Sequence, residues 1–470
     1  MPETTNKISR RSFFVNTGKA TATAAALGNF ATHDDYEAVA QNVNTNSQPS
    51  NLQITDLRVT PMNSRGRSFF VRIDTNQGIS GYGEIRDGSS PTYALMLKSR
   101  ILGMNPCNVD KIFRKLKQFG HPARGAAGPC SIEMACWDIA GKAWGVPCWQ
   151  MLGGKFRDKV LCYCETGGNS RDLGETTSRM KEQMKAGWKI LKFDTGIRLC
   201  EGIDGCVTRP PVESINRSTT EHPFTGITLT DKGAQVIAEF MAGVRDAVGW
   251  EIPIGTDHFG HLGVESCIKL AQALDPYNLA WLEDMIPWWY TEHYRRIKES
   301  CVTPILTGED IYLKEDFIKL FEAQAISICH PDIASSGGLL ETKKIGDIAQ
   351  EYGIAMNMHM VEGHIALYSS VHCAAATENF TACEAQPRLN ERDSTYNAMV
   401  DGISKPIVQD GYIPVPDTPG LGVELNADAI KSGLKDPQNE YFPPTDEWNN
   451  ERSGDRLWSM YPGRKLKTQV

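Results

Sequence analysis

Short apolar runs that end in an acidic residue recur in the second half of the chain. The segment NLAWLEDM (278–285) places Glu283 directly after an apolar run, and similar runs precede Asp257 and Glu309. Both intervals between these acids are 26 residues long. A short apolar run of this kind, bounded by polar residues, is typical of a buried strand.

Three later apolar runs end in the same way, at Asp332, His359 and Glu384, after intervals of 23, 27 and 25 residues. Amphipathic helical patterns lie between them, for example VESCIKLAQAL (264–274) and LETKKIGDIAQEYG (340–353). Repeated strand–helix units predict parallel strands. A (β/α)8 barrel of the TIM type would bring the polar strand ends to one mouth. A doubly wound open sheet is the alternative, and it would leave these ends scattered.

The remaining segments predict a second domain beside the barrel. The 470 residues can hold a barrel over 159–416, which includes an insertion at about 198–230. An α+β capping domain is expected over 51–158, where TNQG (75–78) between two strand-like runs indicates a hairpin. The tail, 417–470, has no repeat and is expected to complete the capping domain. The predicted fold class is therefore α/β, a modified TIM-like barrel with a cap built from both chain ends.

Composition narrows the classes of partner. The chain carries 57 acidic and 49 basic residues, a net charge of −8, which argues against nucleic acid as a partner. No apolar run reaches the roughly 18 residues of a membrane-spanning helix, so no span is predicted. The 13 scattered cysteines indicate buried thiols instead of a disulfide framework.

The N-terminus predicts export. Within residues 1–32, Arg10 and Arg11 precede a weakly apolar, Ala-rich run, which resembles a twin-arginine signal. Residues 33–50 are polar and predict a linker. The expected location is the periplasm or outside the cell. The alternative, a disordered basic tail, would leave the protein in the cytoplasm.

Three carboxylates at one barrel mouth predict a metal site. Asp257, Glu283 and Glu309 would repel one another unless they shared a cation. Oxygen ligands without Cys or His favour Mg²⁺, or Mn²⁺, over Zn²⁺. Each acid taken alone could instead be a loop acid or a helix N-cap.

Three longer motifs identify a family resemblance. The segments SIEMACWDIAGKAWGVPCWQMLGGK (131–155), HPDIASSGGLLETKKIGDIA (330–349) and DTPGLGVEL (417–425) resemble the enolase superfamily. The similarity is to its mandelate racemase / muconate lactonizing enzyme branch, which includes sugar-acid dehydratases, and it runs over about 52–426. The resemblance implies a small-molecule carboxylate substrate, a Mg²⁺ cofactor and a homo-oligomer.

The resemblance also implies roles for individual residues. His359 would be a general acid/base oriented by Asp332, and Glu384 would contact the carboxylate side of the substrate. Lys192 matches the first lysine of the Lys-x-Lys motif of the racemases. The second lysine is replaced by Asp194, so racemisation from two faces is disfavoured, and Asp194 becomes a candidate substrate contact.

Two histidines and two cap residues complete the candidates. DHFGH (257–261) offers His258 as a catalytic residue and His261 as a substrate-binding residue. Either histidine, or Lys192, could be the general acid, and the base itself could also serve. In YGEIRDG (82–88), Glu84 and Arg86 could line the pocket, although a solvated hairpin end explains them as well.

The expected chemistry is removal of the proton next to a carboxylate. A divalent cation stabilises the enediolate that results, and a neutral histidine suits the base. Loss of a hydroxyl from the next carbon would give a 2-keto-3-deoxy acid, so a lyase that dehydrates a sugar acid is the leading hypothesis. A cycloisomerase or lactonising enzyme, or an epimerase, would use the same enediolate. A non-catalytic sugar-acid binding protein is the alternative outside enzymes.

Overall fold

The computed structural model describes residues 48–62, 68–167, 171–209, 226–257, 262–392, 394–434 and 440–450. The predicted export signal lies outside the described residues, as does the linker except for 48–50. His258 and His261 also lie outside them.

A three-stranded antiparallel sheet opens the described chain. Its strands are β1 (Ile54–Pro61), β2 (Phe69–Thr75) and β3 (Ser80–Ile85), in the order β1-β2-β3. The predicted hairpin is confirmed, because β2 and β3 flank the TNQG turn. Gly78 has φ +75° there, a conformation that glycine adopts without strain.

Five helices follow the sheet. They are α1 (Thr92–Leu95), α2 (Lys98–Ile101), α3 (Val109–Leu116), α4 (Ala127–Trp144) and α5 (Cys148–Met151). Helix α4 packs closely on β3 because β3 carries two glycines at alternate positions. A Cβ on Gly81 would lie 2.3 Å from the carbonyl oxygen of Ala135, and one on Gly83 would lie 1.9 Å from that of Ser131. Any larger residue would therefore push the helix off the sheet.

The parallel barrel is confirmed. The remaining strands are β4 (Lys159–Glu165), β5 (Leu191–Asp194), β6 (Val207–Arg209), β7 (Thr228–Leu229), β8 (Ile254–Asp257), β9 (Trp281–Glu283), β10 (Ile305–Thr307), β11 (Ile328–Cys329), β12 (Ala355–Met358), β13 (Phe380–Ala385), β14 (Val400–Asp401), β15 (Tyr412–Pro414) and β16 (Glu424–Leu425). Strands β4, β5 and β8 to β13 pair in parallel, and β13 pairs with β4 to close the ring of eight. Strand β15 adds to β4 in antiparallel fashion, and β6 pairs with β7 within the insertion.

Helices alternate with the barrel strands. They are α6 (Leu173–Lys185), α7 (Asp231–Val248), α8 (Val264–Leu274), α9 (Thr291–Glu299), α10 (Lys314–Glu322), α11 (Ile333–Ser336), α12 (Gly338–Glu351) and α13 (His364–Ala375), and α14 (Ala427–Gly433) follows later. The pattern predicted α8 at its observed bounds and placed α12 two residues late. Among the described helices, none is long and apolar enough to cross a membrane. All 13 cysteines are free thiols, as their scatter predicted.

Buried acids of α4 join the cap to other parts of the fold. Glu133 accepts hydrogen bonds from the backbone N–H groups of Leu339 and Leu340, at the start of α12. Asp138 accepts from the N–H of Leu421, which holds the C-terminal segment against the same helix. The acids of the SIEMACWD motif are therefore buried hydrogen-bond acceptors that fix the cap in place.

Candidate active site

The strand register gathers charged side chains at the carboxyl end of the barrel. Asp194 of β5 lies beside Asp257 of β8, and Glu165 of β4 lies beside Lys192 of β5. Glu283 is the last residue of β9. Because parallel strands end at the same edge, Lys192, Asp194, Asp257 and Glu283 converge on the mouth as the sequence predicted. Glu165, which was not predicted, lies with them.

Lys192 lies at the centre of this group of acids. Its ammonium nitrogen is 3.1 Å from Asp257 Oδ2, 3.0 Å from Glu384 Oε1 and 3.4 Å from Glu283 Oε1. Burial alone would lower the pKa of Lys192, but the three carboxylates outweigh it and raise the pKa well above its ordinary value. Lys192 is therefore held in its protonated form.

Glu283 has three polar partners. Besides Lys192, the indole N–H of Trp281 donates to Oε2 over 3.0 Å, and His330 Nδ1 lies 3.1 Å from Oε1. Burial would raise the pKa of Glu283, but Lys192 and His330 outweigh burial and hold the pKa at about 2. The carboxylate is thus charged although it is fully buried.

His359 and Asp332 form a hydrogen-bonded pair, called here the His359–Asp332 pair. His359 Nδ1 is 2.6 Å from Asp332 Oδ2, and the N–H of Ala334 donates to Asp332 Oδ1 over 2.7 Å. Backbone pairing between the two residues, with the His359 N–H donating to Pro331, holds them in register.

The partners of Asp332 fix the tautomer of His359. Burial raises the pKa of Asp332, but Arg86 and the Ala334 N–H both donate to its oxygens, so Asp332 serves as the acceptor. Nδ1 therefore carries the proton, and Nε2 is the basic nitrogen. Nε2 lies 3.0 Å from Glu309 Oε2 and 3.7 Å from Glu384 Oε2, on the side of the acid group. Burial, and then the charge of Arg86, lower the pKa of His359 well below its ordinary value. A neutral imidazole with its basic nitrogen facing the mouth can accept a proton from a bound molecule.

The two cap residues are buried, so the solvated-hairpin interpretation is wrong. Arg86 is 1% exposed and reaches the His359–Asp332 pair, with Nη1 2.5 Å from Asp332 Oδ2. Glu84 is fully buried but plays another part. It accepts from the backbone N–H groups of Gly363 and Ala366 and so caps the start of α13.

The predicted metal ligands reach the same mouth but do not surround a common point. Asp257 and Glu283 both contact Lys192. Glu309 instead lies 3.4 Å from Arg86 Nη2 and 3.0 Å from His359 Nε2. Within the described ranges, no group of three His, Cys, Asp or Glu side chains is placed to hold a metal ion.

The chemistry of these donors nevertheless fits a divalent cation. Burial raises the pKa of Glu309 well above its ordinary value, and the charges of Asp284, Asp257 and Glu283 raise it further, against the opposing effect of Arg86. Carboxylates that destabilise one another in this way would be stabilised by a shared cation, and oxygen donors suit Mg²⁺.

Sequence reasoning missed several supporting side chains. The Tyr163 hydroxyl lies 2.7 Å from His330 Nε2 and donates to Glu384 Oε2 over 3.2 Å. Tyr163 lies in an apolar strand, CYC, where only its inward position in the period-two alternation could have singled it out. Glu362 is 2.9 Å from Arg86 and was not predicted either. Asp194 and Glu384 lie at the predicted strand ends.

Two family descriptions match this chain. The family description "Enolase C-terminal domain-like" matches residues 175–429, and "Mandelate racemase / muconate lactonizing enzyme, N-terminal domain" matches residues 37–153. A D-xylonate dehydratase of Haloferax volcanii is 30% identical over 393 residues, which cover 81% of this chain and 89% of the relative. A D-galactonate dehydratase of Pectobacterium atrosepticum is 27% identical over 391 residues, which cover 80% and 92%.

Solved structures resemble the fold of most of this chain. A mandelate racemase/muconate lactonizing enzyme-like protein from Rubrobacter xylanophilus has a TM-score of 0.72 and 25% identity, covering 84% of this chain and all of that one. An enolase superfamily member from Salmonella Typhimurium has a TM-score of 0.69 and 26% identity, covering 81% and 98%. The chain belongs to the enolase superfamily, in its mandelate racemase / muconate lactonizing enzyme branch.

Proposed function

We propose that this protein is a hydro-lyase that removes water from a sugar acid and forms a 2-keto-3-deoxy acid. The observation that carries the proposal is the His359–Asp332 pair, whose basic nitrogen faces a buried group of acids around one lysine. The names of the relatives, dehydratases of D-xylonate and D-galactonate, support the same reaction class.

The proposed cofactor is Mg²⁺, with Mn²⁺ as the alternative, held by Asp257, Glu283 and Glu309. A bound divalent cation would supply positive charge next to the carboxylate of the substrate and favour its deprotonated, enediolate form. The excess of buried negative charge at these three residues supports this assignment.

The proposed proton path runs through His359. Its neutral Nε2 takes the proton from the carbon next to the substrate carboxylate, while Asp332 holds the ring and stabilises the imidazolium that forms. The protonated His359 then gives a proton to the hydroxyl on the next carbon, and that hydroxyl leaves as water. The enol that remains rearranges to the 2-oxo acid.

Lys192 serves as a fixed positive charge in this scheme. Since Asp257, Glu283 and Glu384 raise its pKa, Lys192 holds its proton and suits binding of a substrate carboxylate better than release of a proton. Asp194 stands where a racemase has its second lysine, so a single base on one face fits dehydration better than racemisation.

We also propose a location, a domain division and an oligomeric state for the protein. Residues 1–32 direct export through the twin-arginine route, the cap comprises 51–158 with 417–470, and the protein works as a homo-oligomer. Replacing Arg10 and Arg11 together by Lys should retain the protein in the cytoplasm, as cell fractionation would show.

A substrate screen tests the reaction. The full chain, purified with Mg²⁺, is incubated with mono- and diacid sugars, and both 2-oxo acid formation and product mass are measured. A product lighter by one water, absent with His359→Asn and with Glu309→Gln, is expected. Full activity in His359→Asn would show that the mechanism is wrong. A product of unchanged mass would indicate a cycloisomerase, or an epimerase if solvent deuterium is incorporated.

A further inference from the structure

The side chain of Arg86 extends from the cap into the barrel mouth and places its positively charged guanidinium among the acids there. It directly follows β3, and its side chain is 1% exposed. Its Nη1 lies 2.5 Å from Asp332 Oδ2 and 2.9 Å from Glu362 Oε1, and Nη2 lies 3.4 Å from Glu309 Oε1. One cap residue therefore donates hydrogen bonds to three acids of the barrel.

Two donors meet on one oxygen of Asp332. Arg86 Nη1 is also 3.1 Å from His359 Nδ1, but arginine only donates and Nδ1 carries a proton, so this approach is not a hydrogen bond. Instead, Arg86 and His359 both donate to Oδ2, while the Ala334 N–H donates to Oδ1. The plane of the Asp332 carboxylate is thus fixed from three sides.

We infer that Arg86 is a positioning residue: it fixes Asp332 against His359 and makes a correctly seated cap a condition for a productive base. The inference rests on the proposed function, since His359 is the base there. Arg86 would act through Asp332, because Nη1 donates to that carboxylate on the Nδ1 side of His359. Its second contact, from Nη2, is to Glu309, which lies beside Nε2.

The guanidinium shape matters for this role. Its planar fork directs hydrogens along several fixed directions, whereas the ammonium of lysine is one point charge on a flexible stem. Nη1 contacts both Asp332 and Glu362, whereas Nη2 contacts Glu309. A lysine at position 86 could pair with the first two acids through its single nitrogen but could not also hold Glu309. A positive charge without the guanidinium shape should therefore not be enough for the role of Arg86.

Arg86→Lys, Arg86→Met and Arg124→Met test the inference. Arg124 is a matched control, because it pairs with Asp87 and Asp310, which also flank Arg86, yet its side chain is 44% exposed. On the substrate found for the wild type, we expect Arg86→Lys to lower kcat about 10- to 100-fold with little change in KM, as for other orienting partners. Arg124→Met should keep both constants. Added guanidinium should restore part of the kcat of Arg86→Met.

A spectroscopic readout needs no substrate. The Nδ1 proton in a short His–Asp hydrogen bond resonates far downfield in the proton NMR spectrum, so its position and width report on the His359–Asp332 pair. We expect the resonance in the wild type and Arg124→Met, its loss in His359→Asn, and a shifted or broadened signal in Arg86→Lys. This result would support the positioning role even if the substrate screen were silent.

Three results would overturn the inference. One is an unchanged resonance in Arg86→Lys, which keeps the charge and so is the variant expected to fold. Another is a kcat of Arg86→Lys within twofold of wild type. The third is a rise in KM at constant kcat, which would make Arg86 a substrate contact.

Discussion

Replacing Lys192 by Met would remove the cation that three buried acids share. Two unit charges about 4 Å apart interact by about 4 kcal/mol at an effective dielectric constant near 20. Lys192 makes three contacts of 3.0 to 3.4 Å, although its own desolvation offsets much of this attraction. Removing one partner of such a buried network costs about 3–5 kcal/mol, so we expect a metal-free Lys192→Met protein to lose roughly that much stability.

The same substitution should strengthen the binding of divalent cations. Lys192 lies against Asp257 and Glu283, two of the three proposed metal ligands, so its charge competes with the metal for them. Mg²⁺ at about 100 times its dissociation constant stabilises a protein by about 2.7 kcal/mol. At one fixed Mg²⁺ concentration, we therefore expect a larger rise in stability in Lys192→Met than in wild type.

Denaturant unfolding with and without Mg²⁺, together with calorimetric titration, would measure both effects. Lys189→Met is the control, because Lys189 pairs with Asp410 and is 42% exposed, and such surface pairs contribute about 0–1 kcal/mol. Unchanged metal-free stability in Lys192→Met would refute the charge argument. An equal or smaller effect of Mg²⁺ in the variant would refute the competition.

Three further predictions concern the supports of the fold and the site. Burial lowers the pKa of His372 from 6.5 to about 4. The stability that the neutral, buried His372 contributes is therefore fully present above pH 6.5 and falls by about 3 kcal/mol as the pH drops to 4. Unfolding curves across this range should be flatter in His372→Gln, and equal slopes would contradict the assignment. Glu133→Gln should cost about 1–3 kcal/mol, because one buried donor at the start of α12 loses its acceptor, and calorimetry would detect it. Tyr163→Phe should lower kcat about tenfold and cost about 1–3 kcal/mol of stability, since the ring still packs but the buried His330 and Glu384 lose the hydroxyl.

The barrel could be predicted from the sequence because local patterns determine it. Each strand is an apolar run whose polar end faces the mouth, and an interval near 25 residues leaves room for one helix. The period therefore located Asp257, Glu283 and Glu384 at strand ends without any knowledge of tertiary contacts. Parallel pairing then brought them together, as the register shows.

The partners of these acids could not be predicted in the same way. Lys192 and Glu384 are in contact although they are 192 residues apart in the sequence, and Arg86 and Asp332 are in contact although they are 246 residues apart. Such contacts depend on side-chain reach and on how the cap sits on the barrel, and neither leaves a periodic signal. Arg86 directly follows β3, and in the sequence only the two glycines of β3 indicate how closely that strand packs on α4.

The cap supplies structural contacts to the barrel mouth. Three of its buried charged residues each reach a segment that follows barrel strand six or seven: Glu133 caps α12, Arg86 holds Asp332, and Glu84 caps α13. Asp332 follows β11, and His359 follows β12. The strands that present the proposed base and its partner are therefore the ones whose following segments the cap fixes. We therefore expect a substitution at any of these three cap residues to alter the geometry of the His359–Asp332 pair while the barrel stays folded.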